Sequence, residues 1–181
     1  MDDAVEKMSE YHCIDNGYLT DIRFSENEKF TTIPEYGISG LYINNDSTIT
    51  LPDNITTLEK YAFYNLTGKL SSIYPTTIKL GKNITTINDS FMGRVDRGLT
   101  LDFSAATKIP TLTTSSMCER WKGGGVTASY YLCTLMHIIV PDALYDEWIK
   151  ATNWAYWNSS SSAALGHPDG HYFKKASEVT A

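Results

Sequence analysis

The stretch Thr48-Ile49-Thr50-Leu51-Pro52-Asp53-Asn54-Ile55-Thr56-Thr57-Leu58 recurs 29 residues later as Thr77-Ile78-Lys79-Leu80-Gly81-Lys82-Asn83-Ile84-Thr85-Thr86-Ile87. Seven positions are identical in the two copies. In each copy two alternating apolar residues predict a short strand, and Pro52-Asp53 or Gly81-Lys82 then predicts a turn. A unit of this kind has one apolar face that it cannot bury alone, so neighbouring units are expected to stack around a continuous core.

An apolar or aromatic cluster closes each unit, and weaker copies lie on both sides of the pair. The clusters are Tyr61-Ala62-Phe63 and Phe91-Met92. The weaker copies are Gly40-Leu41-Tyr42-Ile43, Leu99-Thr100-Leu101-Asp102-Phe103 and Met136-His137-Ile138-Ile139-Val140-Pro141. We therefore predict a strand-rich α/β repeat fold, a short solenoid over residues 38–140 with a loop excursion at 115–135.

Both ends of the array are expected to carry a cap, because a stack of repeats needs a polar outer surface at each end. At residues 1–37 the pattern around Asp15-Asn16-Gly17 predicts a β-hairpin with arms at 11–14 and 18–24. At residues 141–181 the sequence predicts a helix from Pro141 to about Thr152. One face of this helix carries Leu144, Tyr145, Trp148 and Ile149. A final extended segment is expected over residues 171–178.

At these residues the chain resembles the BspA-like, Treponema-type leucine-rich repeat proteins. Ile49 to Phe63 resembles their repeat, Ile138 to Trp154 resembles their terminal module, and Lys175 to Thr180 resembles their closing tail. The resemblance covers roughly residues 38–181, while Ser115–Leu135 and Ser159–His171 depart from the pattern. It implies a curved solenoid that binds other molecules on bacterial surfaces or on phage and prophage particles, with no catalytic residues to carry over.

Composition is consistent with a folded body and argues against a polyanionic partner. The chain has 181 residues, of which 42% are hydrophobic and 20% charged, with a net charge of -6. Residues 1–40 carry all of this net charge, with nine acidic and three basic side chains. No cluster of Lys and Arg is present, so we expect no nucleic-acid partner. Binding by the neutral remainder is expected to depend little on salt.

Targeting signals and cysteines limit the expected location. The first ten residues lack the basic start and apolar stretch of a secretory signal, and no apolar run is long enough to insert into a membrane. The three cysteines, Cys13, Cys118 and Cys133, do not predict a disulfide framework, although a bridge from Cys118 to Cys133 stays open. We expect an extracellular protein, on a bacterial cell surface or a phage particle. The absence of a signal favours the particle.

Several motifs superficially suggest a cofactor or a metal. Gly123-Gly124-Gly125-Val126-Thr127-Ala128 fits a dinucleotide string, but no apolar strand precedes it, so we interpret it as a loop. Cys118, Cys133 and His137 would provide three zinc ligands, but His137 is expected to point out of its strand while Cys133 lies in an apolar run. His167-Pro168-Asp169-Gly170-His171 is interpreted as a turn. We expect no cofactor and no metal.

Aromatic side chains provide the candidate binding residues. We expect Tyr61, Trp148 and Trp154 to fill the core. Binding is expected through Trp121, Tyr130, Tyr131 and Trp157, because Tyr and Trp provide rigid amphipathic contact area. The first three lie in the excursion that departs from the repeats, and loops on a rigid scaffold often carry function.

These observations predict a non-enzymatic binding or adhesion module that recognises a glycan or protein on a cell surface. The alternative is a structural subunit of a phage or prophage particle, such as a tail or receptor-binding component, that packs against sister subunits. A carbohydrate-active enzyme is a minor alternative, because paired carboxylates are recognised by their distance in space and not by a sequence motif.

Overall fold

The computed structural model describes residues 6–7, 18–19, 22–40, 42–43, 48–64, 67–68, 76–93, 99–115, 117, 135–158 and 172–179. Within these ranges the chain is a strand-rich α/β protein with parallel sheets and few helices, consistent with a repeat-like fold. The described residues form four sheets, and every strand pair in them is parallel.

Strands that share a sheet come from successive passes of the chain. The first sheet contains β1 (Tyr18–Leu19), β4 (Tyr42–Ile43) and β8 (Thr67–Gly68). The second contains β2 (Thr32–Ile33), β6 (Thr57–Leu58), β10 (Thr86–Ile87) and β13 (Thr111–Leu112). The third contains β3 (Ile38–Ser39), β7 (Phe63–Tyr64) and β11 (Met92–Gly93). The fourth contains β5 (Thr48–Thr50), β9 (Thr76–Lys79), β12 (Leu99–Asp102), β14 (Leu135–Val140) and β15 (Phe173–Lys175).

The strand register confirms the alignment of the two strong copies. Ile49 of β5 pairs with Ile78 of β9, and Leu58 of β6 pairs with Ile87 of β10. The strands predicted at Leu99–Phe103 and Met136–Pro141 are also present, as β12 and β14 of the same sheet. Residues with the same role in successive units therefore lie side by side, because a parallel ladder in register places equivalent side chains in rows.

The N-terminal part differs from expectation. Phe30-Thr31-Thr32-Ile33 is a further copy of Ile55-Thr56-Thr57-Leu58, and β2 pairs in register with β6. The repeated structure thus extends to the N-terminal side of residue 38. Tyr42–Ile43, predicted as a weak copy of the Ile49 strand, belongs instead to the sheet of β1 and β8.

The predicted N-terminal hairpin falls only partly on the described residues. Its first arm and its turn, residues 11–17, lie outside them. Of its second arm, Tyr18–Leu19 forms β1 and pairs in parallel with β4, whereas 22–24 is not a strand.

The core runs between the sheets and consists of the apolar residues that the repeat pattern selects. Buried side chains recur at equivalent positions, namely Ile33, Leu58, Ile87 and Leu112, then Phe30, Ile55 and Ile84, then Phe63 and Met92, and finally Ile49, Ile78, Leu101 and Ile138. Burial of a side chain of this size contributes about 1.5–3 kcal/mol, so each added unit extends one continuous apolar core.

Trp148 and Trp154 are part of the core, as expected, and both rings pack against Phe103. The predicted helix is shorter than expected: a 3-10 turn at Asp142–Leu144 leads into α1 (Tyr145–Trp148), and a second 3-10 turn covers Trp154–Asn158. Asn153, between α1 and the second 3-10 turn, has φ of 66°, a left-handed conformation that redirects the backbone. The chain bends there, and Trp154 Nε1 donates to Pro110 O at 2.8 Å.

Candidate functional site

Three tyrosines from two successive units form a cluster at the surface, defined here as Tyr36, Tyr61 and Tyr64. The ring centroids of Tyr36 lie 5.1 Å from those of both Tyr61 and Tyr64, and the Tyr61 and Tyr64 centroids lie 5.6 Å apart. All three side chains are half-buried. Edge-on and tilted packing at these distances is favourable, so the rings form a rigid surface that is partly apolar and partly polar.

The backbone around this tyrosine cluster has the same strained turn in three units. Tyr36 has φ of 54°, Tyr61 has φ of 55° and Ser90 has φ of 50°. Left-handed backbone at residues other than glycine is uncommon, so its recurrence at equivalent positions shows that the fold imposes it. Tyr36 N–H donates to Tyr61 O at 3.2 Å, and Tyr61 N–H donates to Ser90 O at 3.0 Å. These bonds fix the spacing between the turns.

The absence of a side chain at Gly93 makes room for the ring of Tyr64. A Cβ atom at Gly93 would lie 2.3 Å from Tyr64 Cδ2 and 3.1 Å from Tyr61 Cδ1. On the other side, Lys60 Nζ lies 4.8 Å from the centroid of the Tyr61 ring, within the range of a cation–π contact. The tyrosine cluster is therefore bounded by Gly93 and by a positive charge.

A second surface is an open groove of about 770 Å³ where β5 turns toward β6. Its volume lies within the range of roughly 300–1,000 Å³ that small-molecule sites occupy. The groove is lined by Glu26, Glu28, Thr31, Thr50, Leu51, Pro52, Asp53, Asn54, Thr56 and Asn83. None of the described residues that line it is basic.

Hydrogen bonds between units hold the groove in shape. Asn54 Nδ2 lies within hydrogen-bond distance of Ser25 O at 3.1 Å, Asn27 O at 3.0 Å and Phe30 O at 2.7 Å. Asn83 Nδ2 donates to Asp53 O at 2.9 Å, which repeats the pattern one unit further on. Both amide nitrogens therefore bond to the backbone of the preceding unit.

Beneath these asparagines, the turns of neighbouring units are in close contact. A Cβ atom at Gly81 would lie 2.5 Å from Pro52 O, so no larger residue fits at Gly81 without a backbone shift.

Asp53 is held by the next unit as well. Its two carboxylate oxygens accept from Lys82 N–H at 3.0 Å and from Lys82 Nζ at 2.5 Å. These hydrogen bonds, the side-chain one first, hold the pKa of Asp53 below its usual 3.8. A general acid needs a raised pKa, so Asp53 is poorly suited to that role in a glycosidase.

The predicted binding residues fall into two groups. Trp121, Tyr130 and Tyr131 lie outside the described residues. Trp157 is only 2% exposed and packs against Tyr172, with ring centroids 5.5 Å apart. Its ring is therefore part of the core and is not presented to a ligand, contrary to the prediction. Tyr61 differs in the opposite direction, because it was expected in the core and lies half-buried in the tyrosine cluster.

Most of the motifs considered for cofactors and metals cannot be placed. Cys13, Cys118, Cys133, Gly123–Ala128 and 167–171 lie outside the described residues. His137 is half-buried in β14, between the buried Ile138 and the strand's start. Within the described ranges no three His, Cys, Asp or Glu side chains lie together in a way that would hold a metal ion. The same ranges contain no helix with the length and apolar character needed to cross a membrane.

Sequence reasoning missed Tyr36 and the groove for one reason. The interpretation of residues 1–37 as a cap leaves the copy at Phe30–Ile33 unaligned with Ile55–Leu58. That alignment places Tyr36 opposite Tyr61, and it places the acidic segment at Glu26 and Glu28 beside the Pro52 turn.

Comparison of the chain with protein-family models, with curated proteins and with solved structures found no match.

Proposed function

We propose that this chain is a non-enzymatic binding module, displayed on a bacterial surface or a phage-like particle, that recognises a glycan or protein on a cell surface. In this proposal the parallel units wind as a BspA-like leucine-rich-repeat solenoid, which acts as a rigid scaffold. The observation that carries it is the tyrosine cluster, where three half-buried rings are fixed by turns of two units.

A surface of this kind suits recognition for physical reasons. Tyr has few rotatable bonds, so little conformational entropy is lost when its ring contacts a partner. Here part of that cost is already met, because the rings pack on one another and on Gly93. Pre-organised aromatic side chains are common among the residues that contribute most to binding. Trp121, Tyr130 and Tyr131 remain proposed contacts in the excursion at 115–135.

The test measures attachment of the labelled chain to a panel of bacterial cells. Replacing Tyr36 and Tyr61 by Ala is expected to lower attachment by tenfold or more, since loss of one such contact costs about 1–2 kcal/mol or more. Tyr145→Ala is the matched control, because Tyr145 is a half-buried tyrosine of the C-terminal end. A triple change of Trp121, Tyr130 and Tyr131 to Ala tests the excursion. Full attachment by both sets of variants would contradict the proposal.

The alternative, a structural subunit of a particle, is favoured by one observation. Among the described residues each sheet ends in a strand, such as β2 and β13, with a neighbour on one side only. Strand edges offer backbone groups to a further chain. The mass in solution separates the two functions, because a subunit that assembles through its ends gives a defined oligomer or a filament, whereas a monomer contradicts assembly by the isolated chain.

A further inference from the structure

We propose that the groove at the Pro52 turn is a binding site for a neutral oligosaccharide. The inference rests on the proposed binding function and names its ligand class. It is carried by the groove's shape and by the kinds of hydrogen-bonding group that line it.

The groove is rich in acceptors and in hydroxyl groups. Three threonines, Thr31, Thr50 and Thr56, line it together with the carboxylates of Glu26 and Glu28. The amide nitrogens of Asn54 and Asn83 bond to backbone carbonyls of the preceding unit. A hydroxyl both donates and accepts, whereas a carboxylate only accepts. The ligand that matches such a groove is rich in O–H donors.

Charge excludes one large class of glycan. No basic side chain is found among the described residues that line the groove, and the ammonium group of Lys82, which lies next to the lining residue Asp53, is bound to that carboxylate. Carboxylates of the groove would repel uronic acids, sulfated sugars and phosphates. A neutral sugar meets no such repulsion, and each of its hydroxyls can donate to an acceptor of the groove.

Rigidity completes the argument. Asn54 ties the groove to the segment before β2, Lys82 fixes the side chain of Asp53, and Gly81 brings the next turn against Pro52. Protein groups that are already ordered lose less conformational entropy on binding, so their hydrogen bonds to a sugar contribute more to affinity. Pro52 adds a half-buried apolar surface against which a sugar ring can lie.

The experiment is native electrophoresis of the full chain through gels that contain mannan, dextran, hydroxyethyl cellulose or alginate. Mobility is expressed relative to a gel without polysaccharide, so that a change in protein charge cancels. We expect at least one of the three neutral polysaccharides to retard the chain and alginate not to do so.

Two double variants test the groove itself, one that contains Thr50→Val and a matched control that contains Thr48→Val. Both residues are exposed in β5, but only Thr50 lines the groove. Thr50→Val combined with Glu28→Gln is expected to weaken retardation by about tenfold, because the hydrogen bond of the Thr50 hydroxyl is lost and the acceptor at position 28 no longer carries the charge that strengthens its bond to the sugar. Thr48→Val combined with Glu147→Gln, which is exposed at α1, is expected to leave it unchanged.

Several outcomes would overturn the groove assignment. They are retardation by none of the neutral polysaccharides, or equal weakening by the two double variants. Attachment to cells by a chain that no neutral polysaccharide retards would refute the groove and leave the proposed function standing. Loss of cell attachment in the tyrosine variants, with retardation intact, would show that the groove and the tyrosine cluster bind different partners.

Discussion

At the scale of single residues, the side-chain amide of Asn54 connects its unit to the preceding one. Its amide nitrogen contacts three carbonyl oxygens of the preceding unit, whereas the equivalent Asn83 contacts one and is exposed. The same residue type at equivalent repeat positions is thus expected to contribute differently to the stability of the fold. The sequence shows that both positions are Asn, and only the path of residues 25–30 shows why one of them matters more.

Asn54→Asp is expected to destabilise the protein by about 2 kcal/mol or more, because it removes the donors and places a carboxylate against three carbonyl oxygens. Asn83→Asp, which loses one exposed bond, is expected to cost less than about 1 kcal/mol. The measurement is chemical denaturation followed by circular dichroism. Equal costs at the two positions would contradict the role assigned to Asn54.

Two buried tryptophans offer a second comparison between residues. Trp154 Nε1 donates to Pro110 O at 2.8 Å, whereas among the described residues Trp148 Nε1 has no hydrogen-bond acceptor. Trp154→Phe therefore loses packing and also leaves a buried carbonyl unsatisfied, while Trp148→Phe loses packing alone. We expect Trp154→Phe to be the more destabilising change by about 1–2 kcal/mol in urea unfolding. The reverse order would show that packing dominates at this end of the core.

At the scale of elements, the C-terminal segment is attached to the last turn of the array by a polar contact. Asp142 accepts from Ser177 N–H at 3.1 Å and from Ser177 Oγ at 2.5 Å, and Lys175 Nζ lies 5.1 Å from the Tyr145 ring centroid. The hydrogen bonds from Ser177, the side-chain one first, hold the pKa of Asp142 below its usual 3.8. This contact joins the segment after β15 to the turn before α1.

The sign of the pH effect follows from the lowered pKa. The Asp142 contact stabilises the fold fully above the unfolded pKa of 3.8, and this stabilisation is lost as the pH falls through the lower folded value. Between pH 6 and pH 2.5 the free energy of unfolding is therefore expected to fall less in Asp142→Asn than in the unchanged chain. Asp146→Asn, at an exposed position of α1, is the control and is expected to behave like the unchanged chain. An unaltered pH profile in Asp142→Asn would contradict this account.

At the scale of the whole molecule, the structure predicted from the sequence and the observed structure agree best where the sequence repeats itself. The two strong copies align in the sheets as predicted, because alternation and turn residues specify strand, turn and register together. The shortened C-terminal helix could not be predicted from apolar spacing, since that spacing continues to Ile149 and shows neither the left-handed turn at Asn153 nor the bond from Trp154 to the distant carbonyl of Pro110. The prediction that Tyr61 lies in the core was wrong for a similar reason, because an aromatic residue at this repeat position fits the core and a surface turn equally well.

The parallel pairing of strands from successive units predicts how far the effect of a core substitution extends along a sheet. Leu58 lies in β6, between β2 and β10, whereas Leu112 lies in β13 at the end of its sheet within the described ranges. Each Leu→Ala change is expected to cost about 2–5 kcal/mol. In amide hydrogen exchange, Leu58→Ala should lower protection in both β2 and β10, while Leu112→Ala should leave β2 protected, because a unit contacts only its neighbours. Equal loss of protection everywhere in both variants would show that the array opens as one body.

The left-handed turns at Tyr36, Tyr61 and Ser90 have a consequence for how such a chain can change in length. The first two are 25 residues apart and the last two are 29 apart, yet each turn is hydrogen-bonded to the next. The two segments between these turns therefore differ in length by four residues, while the hydrogen bonds that connect the turns are present in both cases. Duplication of the segment from one left-handed turn to the next would add a unit to the protein without a new type of interface between units. The distance between its two ends is thus a property that evolution, or an engineer, can adjust in whole units.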